Sequence, residues 1–361
     1  IEQAGCYSCH EIEHFKDHPM RGPSLRKLAD KTSSDFAFQW IKNPADFRAQ
    51  TWMPAYFGQT NNNDPESVKR NDQEILAMVS YLFAKSETYE MEAIPVRGDA
   101  VRGEELVAAV GCMGCHQAAQ ETLGFTERSV TSQQDIRRQF GPNFQGIGSK
   151  TNDKWLYNWL KNPQSYHADT RMPSLRLSDQ EAADITAYLI GSTDESFIGR
   201  PVPDVNSKIL DGIVSDFMST TLVSAEVNKQ LNQMAQSEKL EFAGERLIAH
   251  YGCYSCHEIA GFENSKPIGV ALTNIGKKSL HKFDFGFTDI DHNKYSWWTA
   301  KLDNPRIFDM HRDVLPLARS RMPNFRLTED QVEAAVTALA GFVEVKPDLI
   351  KIVPRTPERL R

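Results

Sequence analysis

The chain has 361 residues, 40% of them hydrophobic and 25% charged, with 41 basic against 48 acidic side chains and a net charge of −7. This is the composition of an ordinary globular protein, long enough for two or three domains, and its acidic balance gives no reason to expect a nucleic-acid partner. No run of eighteen or more apolar residues occurs, so no segment reads as a membrane-spanning helix.

In chain order, the same set of elements recurs three times, and the repeat is the first organising fact. Each copy opens with a short helix that stops at Gly-Cys. It is complete as Arg102–Val110 and Ala243–Tyr251, whereas only Ile1 to Ala4 precede the step in the first copy. A hexapeptide follows: Gly5-Cys6-Tyr7-Ser8-Cys9-His10, Gly111-Cys112-Met113-Gly114-Cys115-His116 and Gly252-Cys253-Tyr254-Ser255-Cys256-His257. Cys-x-x-Cys-His is the attachment signature of a c-type haem. Two residues between the thiols match the separation of the two haem vinyl groups on one helical turn, and the adjoining His falls beneath the iron. Redox dithiols and zinc knuckles also use Cys-x-x-Cys. Three copies that keep the His and together consume all six cysteines argue against both.

A loop comes next: Arg21-Gly22-Pro23-Ser24-Leu25, Phe140-Gly141-Pro142-Asn143-Phe144 and Ile268-Gly269-Val270-Ala271-Leu272. Its backbone is a natural acceptor for the second ring nitrogen of the His, although Val270 replaces the proline that stiffens the other two. An aromatic helix then closes on Asn43-Pro44, Asn162-Pro163 and Asn304-Pro305, where proline ends the helix and extends its predecessor. Met-Pro follows in every copy. Met53 and Met172 stand nine residues after that proline and Met322 seventeen, because Phe308 to Leu315 is inserted. A loop methionine is usually a core filler. Recurrence with the same successor instead marks Met53, Met172 and Met322 as distal ligands opposite His10, His116 and His257. His167, His281, His292 and His311 are the competitors, read as solvated loop residues.

Each copy ends in an amphipathic helix. Ser178-Asp179-Gln180-Glu181 and Thr328-Glu329-Asp330-Gln331 read as capping boxes, with Asn71-Asp72-Gln73-Glu74 as the first copy's counterpart. The apolar stripes Ile75, Val79, Leu82, then Ile185, Tyr188, Leu189, then Val332, Ala335, Val336, Leu339 are expected to pack on the N-terminal helix of their own copy.

Taken together, helix, Cys-x-x-Cys-His, Gly-Pro-type loop, aromatic helix, Met-Pro and terminal helix resemble the class I cytochrome c domain. The resemblance implies an all-α fold of three tandem domains, 1–85, 99–191 and 242–343, each holding one covalent haem c iron by His and Met. Linkers are expected at 86–98 and 192–241, the second with a helix from Ser207 to Gln236, and an extended tail at 344–361. Insertions stand at Tyr56–Arg70, Gln117–Gln139 and Lys277–Ser296. The architecture is similar to multi-domain cytochrome c subunits of bacterial respiratory complexes. It implies a single-electron relay between redox proteins, such as a quinol-oxidising complex and a terminal oxidase or reductase, with no small-molecule substrate. The rival is a peroxidase-like haem enzyme with one weakly held iron, most plausible in the third copy. Covalent haem attachment implies export to the periplasm or an equivalent compartment. Because the first helix is cut short at Ile1, the natural chain is expected to continue upstream into a signal, a lipid anchor or a membrane helix, the anchor being favoured.

Overall fold

The computed structural model describes residues 1–49, 51–117 and 141–343. The middle insertion, apart from Gln117, and the tail at 344–361 lie outside the described residues. Ten helices of nine or more residues are present among those described: α1 (Ser34–Lys42), α2 (Pro65–Ala84), α3 (Ala100–Ala109), α4 (Asp153–Lys161), α5 (Asp179–Ile190), α6 (Ser207–Met218), α7 (Ser224–Gln233), α8 (Gln236–Tyr251), α9 (Lys294–Asp303) and α10 (Glu329–Gly341). The fold is all-α, and among the described residues pairing between extended segments is limited to one antiparallel bridge, Ala55 with Asn324. No helix among the described residues is long and apolar enough to cross a membrane.

The middle copy makes its helix crossing within itself. Asp99 caps α3 by accepting from Val101 and Arg102, and the Ser178/Glu181 capping box opens α5 as the sequence predicts. The two helices cross where Gly103 leaves no side chain, and a Cβ there would run into the backbone carbonyl of Asp184. Val107, Trp155, Leu156, Leu160, Ala182, Ile185 and Leu189 fill the core beneath that crossing.

The outer copies do not follow the expected packing. Helix α2 of the first copy packs on α8, the entry helix of the third. Gly244 makes the close approach that Gly103 makes in the middle copy, here against the carbonyl of Ala77. Ile75, Met78 and Leu82 join Ala243, Leu247 and Ile248 in one core, closed on a third side by Leu210, Ile213 and Val214 of α6. A buried hydrogen bond from the Tyr251 hydroxyl to Glu74 (2.5 Å) and an ion pair from Lys85 to Glu241 (2.5 Å) tie the same two helices. Ile1, at the other end of the chain, packs against the third copy's buried cluster of Ile275, Val332, Val336 and Leu339, as Leu272 and Met322 also do. The expectation that each outer terminal helix packs on its own entry helix is therefore corrected, because the complementary glycine-to-backbone crossing is made between copies.

Three helix boundaries also differ from the sequence reading. Helix α2 begins at Pro65, capped by Asp64, and not at Asn71. Asp64 accepts from two first-turn amides and Pro65 needs no partner, which makes the earlier start the stronger one. Asn71, Gln73 and Glu74 are consequently buried mid-helix, with Asn71 donating to the Asn62 carbonyl and Gln73 to that of Asp204. The helix expected from Ser207 to Gln236 breaks into α6 and α7, where the Thr220 hydroxyl donates to the Phe217 carbonyl and competes with the helical ladder. Helix α8 starts at Gln236, seven residues before Ala243, with Glu238 accepting from the Ala235 amide.

Candidate functional site: three histidine–loop cradles

Each hexapeptide begins with a glycine in the left-handed region, Gly5 (φ 69°), Gly111 (φ 92°) and Gly252 (φ 72°). A side chain is strained there, which explains why the Gly-Cys step recurs. A short helical turn follows, Cys6–Cys9, Cys112–Gly114 and Cys253–Ser255, beginning at the first thiol; His10, Cys115 and Cys256 are the residues that cap it. All six cysteines are free.

The three imidazoles share one environment. His116 Nδ1 lies 2.7 Å from the Pro142 carbonyl, His257 Nδ1 lies 2.8 Å from that of Pro23, and His10 Nδ1 lies 2.8 Å from that of Val270. A carbonyl only accepts, so Nδ1 carries the proton and Nε2 keeps its lone pair for a metal. Burial, outweighing that hydrogen bond, holds each ring below the usual His range and hence neutral. Two further bonds fix every loop. Gly141 N donates to Cys115 O (3.0 Å), Gly22 N to Cys256 O (2.8 Å) and Gly269 N to Cys9 O (2.6 Å); Phe144, Leu25 and Leu272 donate to the carbonyls of Gln117, Glu258 and Glu11. The loop glycine lies flat on the imidazole, for a Cβ on Gly22, Gly141 or Gly269 would overlap the ring of His257, His116 or His10. Val270 thus serves as well as proline, since only its carbonyl is used.

Of the Asn residues before the prolines, Asn43 is extended as expected (φ −155°), whereas Asn162 (φ −153°) and Asn304 (φ −126°) leave the helical region at ψ 84° without reaching the extended one. The methionines are all half-buried. Trp40 Nε1 donates to Met53 Sδ (2.7 Å) and Trp159 Nε1 to Met172 Sδ (2.8 Å), both across thirteen residues. In the third copy Lys301 stands at that register, three before the Asn-Pro step. Its ammonium donates to Pro305 O (2.6 Å) and Ser320 Oγ (3.1 Å), and burial pushes it down to about 8. The competing His281, His292 and His311 are exposed and His167 is half-buried. Of the third insertion, Phe283 is buried in its own copy's core, Phe285 stacks on His292 at 4.4 Å and Phe287 is exposed.

Sequence reasoning missed a cationic seam between the first and middle copies. Lys31 and Lys150 each stand two residues before the cap of an aromatic helix and reach over the other copy's tryptophan, 4.4 Å from Trp155 and 5.5 Å from Trp40. Thr151 Oγ1 donates to the Lys31 carbonyl (2.7 Å), and Arg48 donates to that of Gln145. Burial pushes Lys31 down to about 8, Lys150 to about 7 and Arg48 to about 10. The matching Lys-Thr pairs at Lys31-Thr32 and Lys150-Thr151 were the available signal.

These residues suit a thioether-bound haem. Free thiol pairs stand beside imidazoles whose Nε2 is uncommitted, and a thioether-bearing loop accompanies each cradle. Trp298 Nε1, Thr299 Oγ1 and two Arg48 nitrogens are buried without a hydrogen-bond partner, and haem propionates are acceptors of the kind such groups require. The match with known proteins agrees. The family model described as Cytochrome c matches residues 1–84 and 100–192. No curated protein and no solved structure matches the chain. The two matched segments are thus similar to a family of electron carriers that hold haem c covalently, and a haem-based electron-transfer role is the function they support.

Proposed function

We propose that the chain is a three-haem cytochrome that relays single electrons between redox proteins. The observation that carries this is the cradle itself: the same His-to-carbonyl bond and the same glycine against the ring occur at His10, His116 and His257. His10, His116 and His257 would hold the irons from the proximal side, Met53, Met172 and Met322 from the distal side, and the six cysteines would anchor the haems as thioethers. When bound, each haem supplies a one-electron iron couple, which thioether ligation raises relative to bis-His haem. The chain orients the imidazoles, keeps them neutral and partly excludes water. Partners at the high-potential end of a respiratory chain suit such couples, namely a quinol-oxidising complex and an oxidase or reductase, on the extracytoplasmic face where haem c is attached. The test is intact mass, expected at the polypeptide plus three haems, with a far-red sulfur-to-iron band in the oxidised protein worth three His/Met irons. A mass of two haems or fewer would overturn the count.

A second reading has one supporting observation. Met322 lacks the indole donor that Met53 and Met172 have, and Lys301 stands in its place. A weakly held sixth position there would admit carbon monoxide or peroxide. Carbon monoxide binding by one third of the reduced haem would favour a peroxidase-like enzyme, and none would favour the relay.

A further inference from the structure

We infer that the two outer haem sites are built by exchange: His10 and Met322 form the axial pair of the haem held by Cys6 and Cys9, and His257 and Met53 that of the haem held by Cys253 and Cys256. This rests on the reading of these residues as ligands and decides which of them share an iron.

Four kinds of contact carry it. The first is the imidazole bond, made by His257 to Pro23 and by His10 to Val270, across 234 and 260 residues. The second is the loop ladder, in which Gly22 and Leu25 donate to Cys256 and Glu258, and Gly269 and Leu272 to Cys9 and Glu11. Third is the helix crossing of Gly244 on Ala77, with Lys85 to Glu241 and Tyr251 to Glu74 beside it. Fourth, Ile1 packs against the same third-copy core as Met322. The middle copy is the internal control, because it makes the same His-to-loop bond and the same glycine crossing within itself.

The Met belongs to the body that supplies the loop. Trp40 of α1 holds Met53, α1 packs on α2, and α2 crosses the helix that leads into Cys253. On the other side Met322 and Leu272, the last residue of the loop that cradles His10, both pack against the third copy's buried cluster, which begins at Ile275. Nothing in register opposes the exchange. The outer hexapeptides are identical, and twelve residues separate His10 from Gly22 and His257 from Gly269. The two sites also abut: Ala55 and Asn324, two residues after each Met, exchange both backbone bonds at 2.8 and 2.9 Å. The outer haems thus form one interleaved unit.

The test uses the full chain with one haem omitted, Cys253→Ser/Cys256→Ser, checked by mass to carry two. On this background Met322→Ala is expected to remove half of the far-red sulfur-to-iron band, while Met53→Ala leaves it intact. Half lost with Met53→Ala, or any pattern other than the expected one, overturns the exchange. Should the two-haem chain fail to accumulate, zero-length carbodiimide cross-linking of the native chain decides. A Lys85–Glu241 product is expected, and its absence while other lysine–carboxylate pairs react overturns the exchange. Native protein without any far-red band would instead sink the reading of the methionines as ligands, and the cross-link would still report the backbone exchange.

Discussion

The middle copy and the outer pair solve one problem in two ways. In the middle copy the entry helix, the His cradle, the methionine and the terminal helix are contiguous in 99–191, and Gly103 seats on Asp184 of the same copy. The outer copies use the same parts with the cradle and the crossing made between copies, the cradles joining chain segments more than two hundred residues apart. A cytochrome-like site therefore needs a set of mutually complementary surfaces and is indifferent to which copy provides them. The difference has consequences for cooperativity. Damage to the middle crossing strikes one site directly, whereas damage to either outer body reaches both outer sites.

The strongest way to probe this contrast is to fill the two crossings. Gly244→Val drives a side chain into the Ala77 carbonyl and Gly103→Val into that of Asp184, each expected to cost ~3 kcal/mol or more by overpacking. Thermal unfolding followed in the haem bands should show two outer haems perturbed by Gly244→Val and one by Gly103→Val. A single perturbed haem in both cases would erase the distinction.

Tyr251→Phe removes the buried hydroxyl that donates to Glu74. Urea denaturation should register a loss of about 2 kcal/mol in the outer unit, the range for a hydrogen bond to a charged acceptor, with the middle copy unaffected. Asp64→Ala and Ser178→Ala delete caps of α2 and α5. Each is expected to lower stability by about 1 kcal/mol, the first in the interleaved unit and the second in the middle copy, and hydrogen exchange along each helix separates the two.

The smallest effect at neutral pH comes from His250, whose position the middle copy fills with Ala109. Burial, with Arg321, Arg306 and Arg70 nearby, pushes His250 down to about 4. The unfolded chain takes up a proton near the usual His value of about 6.5, which the folded chain refuses until about 4. Outer-unit stability should therefore fall as the pH drops from about 6.5 to about 4 and be unaffected above that window. His250→Ala should flatten this dependence in pH-stepped melts while changing little at pH 7; an unchanged slope would place the acid sensitivity elsewhere.

Much of this was legible in the chain. Hexapeptides, Asn-Pro steps and Met-Pro pairs are local signals, because a left-handed glycine, a pre-proline residue and a helix cap each impose their geometry within a few residues. The capping boxes of α5 and α10 stand where they were expected. The start of α2 was misread because Asn71-Asp72-Gln73-Glu74 resembles a cap, whereas Asp64-Pro65 satisfies more backbone amides. The seam of Lys31, Lys150 and Arg48 was illegible, since its meaning depends on the tryptophans opposite, in another copy.

By itself, then, the sequence determined the three recurring hexapeptide-and-loop pairs and the all-α class, through residues that act on their near neighbours. Tertiary structure alone decided which cradle serves which histidine. Gly5–His10 and Gly252–His257 are identical, so no local preference separates own-copy from exchanged pairing. The choice falls to contacts distant in sequence: Gly244 against Ala77, Tyr251 against Glu74 and Ile1 within the third copy's core.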